Sequence, residues 1–92
     1  MKQPAEYFEG HEPELIYIAK TLNDALRLES ILTEAGVDFG VEADEYQGGV
    51  IFRRTRTGAF FYVLSGSAER AFSVMREHGY LARDAEPENR ET

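Results

Sequence analysis

Two amphipathic helix patterns constrain the fold of this chain more than any other feature of its sequence. In the first, Thr21 offers an N-cap with Asp24 three residues on, and Gly36 ends the helix. Its apolar residues at helical spacing are Ala25, Leu28, Leu32 and Ala35, with Ile31 beside them. The second helix, capped by Ser65 or Ser67, ends at Gly79. Its apolar stripe is Ala68, Ala71, Phe72 and Met75. Each stripe must be buried, so both helices need an apolar surface to pack on.

Short runs of β-forming residues supply that surface. The predicted strands are 15–19, 37–43, 50–53 and 59–64. Gly48-Gly49 marks a turn, and 54–58 is predicted to be the loop of a long hairpin. The order β-α-β-β-β-α predicts an α+β fold, a ferredoxin-like sandwich with two helices on one face of a mostly antiparallel sheet.

A chain of 92 residues is expected to form one domain. Residues 1–13 contain two prolines and a glycine without periodicity, and they are predicted to be an N-terminal arm. The single α+β domain is then 14–81. Residues 82–92 carry little apolar surface and are predicted to be a disordered acidic tail.

The composition excludes several classes of site and partner. There is no cysteine, so disulfides, thiolate zinc sites and cysteine nucleophiles are excluded, and a cytoplasmic location is expected. A net charge of −7 argues against non-specific binding to nucleic acid or to an anionic membrane. We expect no transmembrane segment, no signal peptide and no cofactor.

A basic cluster interrupts this acidic chain. Arg53, Arg54 and Arg56 lie between 50 and 64, a stretch with no acidic residue. Guanidinium groups bind carboxylate and phosphate bidentately, so the cluster predicts a site for an anionic ligand or protein partner. The alternative is that these arginines protect a hairpin edge and pair with the protein's own acids.

The last predicted strand is apolar on both faces, whereas two helices cover only one. If Phe61, Val63, Ile16 and Ile18 face the helices, alternation places Tyr17, Phe60 and Tyr62 on the other face. These three residues are predicted to form a homodimer interface. The competing cover is the N-terminal arm, through Tyr7 and Phe8.

The remaining polar groups carry weaker hypotheses. Glu42, Asp44 and Glu45 lack the ligand pattern of a calcium loop, so no metal site is predicted. His78 falls in the last turn of the second helix, where a cation is favourable for structural reasons. The aromatic strand suggests single-stranded RNA binding as a third function, which the acidic net charge disfavours.

Core spacing and helix ends also carry a resemblance. The matching segments are Ala25-x-x-Leu28-x-x-Ile31-Leu32-x-x-x-Gly36-Val37, Val41-Glu42, Gly48-Gly49-Val50 and Ala68-x-x-Ala71. In these the chain resembles a small bacterial family of prokaryotic signal-transducing proteins, near the PII-like signalling superfamily. The resemblance implies a ferredoxin-like fold and a regulatory role, and it brings no binding or catalytic residues. The basic, aromatic stretch 50–64 departs from it.

The favoured function is therefore a non-catalytic regulatory or ligand-sensing module that self-associates and presents an arginine-rich hairpin to an anionic ligand or partner. The alternative is a small dimeric ferredoxin-like enzyme with a pocket over the open sheet face. Such a pocket would use Tyr, Glu or Arg, since the chain has no cysteine.

Overall fold

The computed structural model describes residues 1–48 and 54–80, with side chains for 1–45 and 56–80. The chain begins with a 3₁₀ turn, Ala5–Phe8. Strand β1 (Pro13–Ala19) then leads into helix α1 (Leu22–Glu34). Strands β2 (Gly40–Gly48) and β3 (Arg54–Leu64) follow, and a second 3₁₀ turn, Ser65–Ser67, precedes helix α2 (Ala68–Glu77). The predicted α+β class and both helices are confirmed.

The three described strands form an antiparallel sheet in the order β1-β3-β2. Strand β3 pairs with both neighbours, so β1 and β2 run parallel with β3 between them. This is a split βαβ arrangement, in which α1 crosses over one face of the sheet. Residues of both helices and the sheet share one core, including Leu28, Leu32, Ala71, Met75 and Phe61.

Local chemistry sets the ends of the helices. The hydroxyl of Thr21 accepts the backbone N–H of Asp24 at 3.1 Å, as an N-cap should. Both helices end in a Schellman motif, with Gly36 and Gly79 at positive φ, a conformation that glycine adopts without strain. Ser67 occupies the predicted N-cap position of α2, but its side chain makes no capping hydrogen bond, and the 3₁₀ turn Ser65–Ser67 leads into the helix.

The strand boundaries correct the prediction in two places. Strand β2 begins at Gly40 rather than at 37 and runs on to Gly48. The predicted loop 54–58 is part of β3, where Arg54 pairs with Gly48 and Gly58 pairs with Asp44. Its alternating threonines suit a strand, and β2 is long enough to pair with it. The predicted strand 50–53 lies outside the described residues.

A β-bulge in β1 decides which side chains face the helices. Leu15 pairs with Tyr62, but the next pair is Tyr17 with Phe61, so Ile16 is the extra residue. Tyr17 and Ile16 therefore both lie on the helix-covered side with Phe61. Ile18 pairs with Phe60 on the opposite side and is absent from the core cluster, although it is only 7% exposed. The faces predicted for Tyr17 and Ile18 are thus wrong.

Candidate binding cleft on the open sheet face

The face of the sheet turned away from the helices, here called the open face, carries the even-numbered side chains described for β2 and β3. Strand alternation places Glu42 and Asp44 of β2 on this face, together with Phe60 and Tyr62 of β3. From β1 the bulge adds Leu15 and Ile18. The open face is apolar towards β1 and acidic towards the outer edge of β2.

The N-terminal arm is fastened to the segment that precedes β2. Met1 and Gln3 exchange backbone hydrogen bonds with Phe39, at 3.1 and 2.7 Å, and Lys2 forms a parallel bridge with the same residue. Lys2 also pairs with Glu29 of α1 at 3.3 Å. The arm therefore extends the sheet locally and does not leave the domain as a free tail.

The carboxylate of Asp38 binds the polar groups of the arm. Asp38 accepts hydrogen bonds from the Gln3 amide at 3.1 Å and from the Tyr7 hydroxyl at 3.2 Å, and the Met1 ammonium lies 3.5 Å away. The Gln3 bond, with smaller contributions from Tyr7 and the ammonium, lowers the pKa of Asp38. Partial burial and the nearby Asp38 charge raise the pKa of Tyr7.

Within the arm, Phe8 lies over the first residue of β2. A Cβ on Gly40 would come within 2.6 Å of the Phe8 ring, so only glycine leaves room for it in this position. Tyr7 and Phe8 meet edge to face, with ring centroids 5.2 Å apart. The competing cover considered from sequence had Tyr7 and Phe8 across the last strand, whereas here Phe8 lies over Gly40 of β2 and Tyr7 donates to Asp38.

Beside Phe8 the arm and the sheet enclose a cleft of about 350 Å³. It is lined by Gln3, Ala5, Phe8, Pro13, Gly40, Val41, Glu42 and Tyr62. Partial burial raises the pKa of the Tyr62 hydroxyl, and the charges of Glu42 and Asp44 raise it further. Both effects favour the neutral form of Tyr62, in which the hydroxyl can donate a hydrogen bond.

Among the residues predicted as sites, Arg56 lies apart from Tyr62 on the described part of β3. Arg56 is exposed and pairs with Tyr46 of β2. Arg56 lies six residues along β3 from Tyr62, or roughly 20 Å at strand spacing. Arg54 is in β3 opposite Gly48, and Arg53 lies outside the described residues. Of the predicted interface residues, Phe60 and Tyr62 share the open face, whereas the bulge places Tyr17 on the other face.

Tyr17 belongs instead to a polar cluster that the sequence interpretation missed. The carboxylate of Asp24 accepts hydrogen bonds from the hydroxyls of Tyr17 and Tyr80, the latter at 3.0 Å. Tyr17 and Tyr80 meet edge to face at 5.2 Å, and the Arg27 guanidinium lies 4.8 Å from the centre of the Tyr80 ring. Burial and Asp24 raise the pKa of Tyr80. Tyr17 and Tyr80 lie 7 and 56 residues from Asp24 in the sequence, so no local pattern linked them, and the capping-box hypothesis accounted for Asp24 alone.

Within residues 1–48 and 54–80, no three His, Asp or Glu side chains are grouped as they would need to be to hold a metal ion. In the same residues no helix is both long and apolar enough to span a bilayer.

Comparison with protein-family models, with curated proteins and with solved structures found no match to this chain. The resemblance to prokaryotic signal-transducing proteins therefore stays a prediction, and the cleft must be interpreted from its own geometry.

Proposed function

We propose that the protein is a non-catalytic ligand-sensing module whose ligand binds in the cleft between the N-terminal arm and the open face. The cleft itself carries this proposal. Its volume of about 350 Å³ falls in the range of small-molecule sites, roughly 300–1,000 Å³. Aromatic and apolar walls with few polar groups are also typical of such sites.

The way the arm is attached supports sensing. Phe8 and Gln3 belong to the arm and also line the cleft, so a ligand that enters must contact the arm. The arm is held by partly exposed hydrogen bonds to Asp38 and by a short backbone ladder at Phe39. Contacts of this kind open at low free-energy cost, so binding can change the arm's position. A regulatory, signal-transducing role in the cytoplasm is the corresponding biological proposal.

The enzyme alternative receives less support from the same groups. A tyrosine with a raised pKa stays protonated at neutral pH and is a poor general base. Glu42 is the other titratable side chain in the cleft lining, and it is exposed. This pair suits recognition by hydrogen bonding and charge better than it suits proton abstraction.

We also propose an anion or partner site at Arg53, Arg54 and Arg56, of which Arg56 does not line the cleft. Arg56 is exposed, near the far end of the β2–β3 pair from Tyr62. This position suits contact with an anionic partner after the cleft has filled. Charge reversal at Arg56 should then weaken partner binding without changing ligand binding.

Self-association through the open face is part of the same proposal, with corrected residues. Leu15, Phe60 and Tyr62 are half-buried neighbours on that face, and a second copy of the chain would bury them further. Light scattering should show a dimer that Phe60→Glu converts to a monomer. Tyr17→Phe, on the opposite face, should leave the dimer intact. A wild-type monomer at high micromolar concentration would overturn this part.

The cleft can be tested by NMR titration of the full chain with a library of small organic fragments. We expect shift changes centred on Gly40, Glu42 and Tyr62. Gly40→Val drives a side chain into Phe8 and should abolish them. The control is Gly66→Ala, because an added Cβ there meets nothing within 4 Å. Binding centred elsewhere, or no binding at millimolar concentration, would contradict the proposal.

A further inference from the structure

The electrostatics of the cleft narrow the chemistry of its ligand. Glu42 lines the cleft, and Asp44 follows it on the same face of β2. Both side chains are exposed, and their charges add to the partial burial that raises the pKa of the Tyr62 hydroxyl. An anion placed beside Tyr62 would meet the same repulsion.

Two cations of the arm, which forms one wall of the cleft, are already engaged. Lys2 pairs with Glu29, and the Met1 ammonium lies against Asp38. Among the side chains described for 1–45 and 56–80, no Lys or Arg lies within 4 Å of the Glu42 carboxylate. The carboxylate at the cleft is thus available to a ligand.

The walls of the cleft add a second preference. Phe8 and Tyr62 present aromatic rings, while Ala5 and Pro13 complete an apolar surface. Aromatic faces attract cations and also pack against apolar groups. A bare metal ion would find too few ligands, since the described residues hold no group of three metal-binding side chains.

We propose that the cleft binds a small organic cation, an amine or quaternary ammonium carrying an aryl or short alkyl group. The apolar part packs between Phe8, Pro13 and Tyr62, and the ammonium lies beside Glu42 with Asp44 behind it. This inference rests on the proposed ligand-sensing function and specifies the ligand class of the same site.

The test compares three probes of similar shape: 2-phenylethylammonium, neutral 2-phenylethanol and the anion 3-phenylpropanoate. Each is titrated into the full chain at pH 7 and low ionic strength, with binding followed by NMR at Gly40 and Tyr62. The cation should bind about fivefold more tightly than the alcohol, as an exposed ion pair allows, and the anion most weakly. Adding 0.5 M NaCl should reduce the difference in affinity between the cation and the alcohol.

Variants assign the preference to one carboxylate. Glu42→Gln should bring the cation to the affinity of the alcohol while leaving the alcohol unchanged. Glu45→Gln is the matched control, because this exposed acid is on the same strand but faces the other side of the sheet. It should keep the full preference.

The outcomes separate the two proposals. If the alcohol binds at the cleft as tightly as the cation, or the anion binds best, the cation inference is wrong and the ligand-sensing function stands. If the Glu42→Gln variant still binds the cation more tightly than the alcohol, the inference that Glu42 selects the cation is wrong. If no probe or fragment binds at the cleft at millimolar concentration, both proposals fail.

Discussion

Two aspartates perform similar chemistry on opposite sides of the sheet, with different consequences. On the helix-covered side, Asp24 accepts hydrogen bonds from Tyr17 and Tyr80. At the edge of the open side, Asp38 accepts them from Gln3 and Tyr7. Each carboxylate joins parts of the chain that are far apart in sequence, so each acts as a fastening point.

The difference lies in what surrounds each fastening point. Tyr80 is 5% exposed and belongs to the core cluster, so the Asp24 bonds are partly shielded from water. The Asp38 side chain is 45% exposed, and water competes for its oxygens. The Asp24 bonds therefore stabilise the whole domain, whereas we expect the arm held by Asp38 to detach without unfolding the protein.

The largest effect should come from the core that underlies the Asp24 side. Leu32→Ala removes a fully buried side chain of α1 and should cost about 2–4 kcal/mol of unfolding free energy. Urea denaturation measures this loss. Leu26→Ala on the same helix, at a residue 52% exposed, is the control and should change the midpoint little. Equal effects would show that the helix is packed through a different face.

The two tyrosine pairs give the direct comparison. Tyr80→Phe removes a shielded hydrogen bond to a carboxylate and should cost about 1–2 kcal/mol. Tyr7→Phe removes the corresponding bond at Asp38 and should leave the denaturation midpoint unchanged. Equal losses of stability in the two variants would mean that the arm folds cooperatively with the domain, and that Asp24 and Asp38 do not differ in this respect.

Gly40→Ala should detach the arm while sparing the core. The new Cβ overlaps the Phe8 ring, and the crowding should lower amide exchange protection at Gln3 and Phe39 by up to about tenfold. Protection at Leu32 should not change. The double variant Gly40→Ala, Phe8→Ala removes the overlap and tests the cause, since any loss that persists in it does not arise from Phe8.

The smallest effect concerns pH and acts on the arm alone. Because the folded-state pKa of Asp38 is lowered, its contribution is present above its ordinary pKa of 3.8 and is lost as the pH falls through the lowered value. NMR shifts of Gln3 and Tyr7 should therefore move towards free-arm values at the acidic end of a titration. Asp38→Asn should remove this transition, and a transition that persists would assign it to another group.

Much of the helical half could be predicted because its determinants are local. The spacing of Leu28 and Leu32, the cap at Thr21 and the glycines that end both helices act within a few residues of one another. The contacts of Asp24 could not be predicted in this way. Its partner Tyr80 lies 56 residues away, and nothing in the local pattern distinguishes a capping carboxylate from one that accepts two tyrosine hydroxyls.

The sheet was harder to predict, for two physical reasons. The Arg-Thr alternation at 54–57 is polar, and only its pairing with β2 makes it a strand. The bulge in β1 has no glycine or proline to mark it, and a single extra residue exchanges the faces predicted for Tyr17 and Ile18. The cleft depends on the arm reaching Asp38, a long-range contact that local composition does not encode.

The extra residue in β1 reverses the side of the sheet that each later residue of the strand faces. Counted from Leu15, strict alternation assigns Tyr17 and Ile18 to the wrong sides, but with Ile16 left out of the count both assignments become correct. The inserted residue is fully buried and adds an isoleucine to the core. Strand β1 therefore carries one more apolar side chain than its pairing needs, and any comparison of this strand with another by its polarity pattern must first allow for the inserted position.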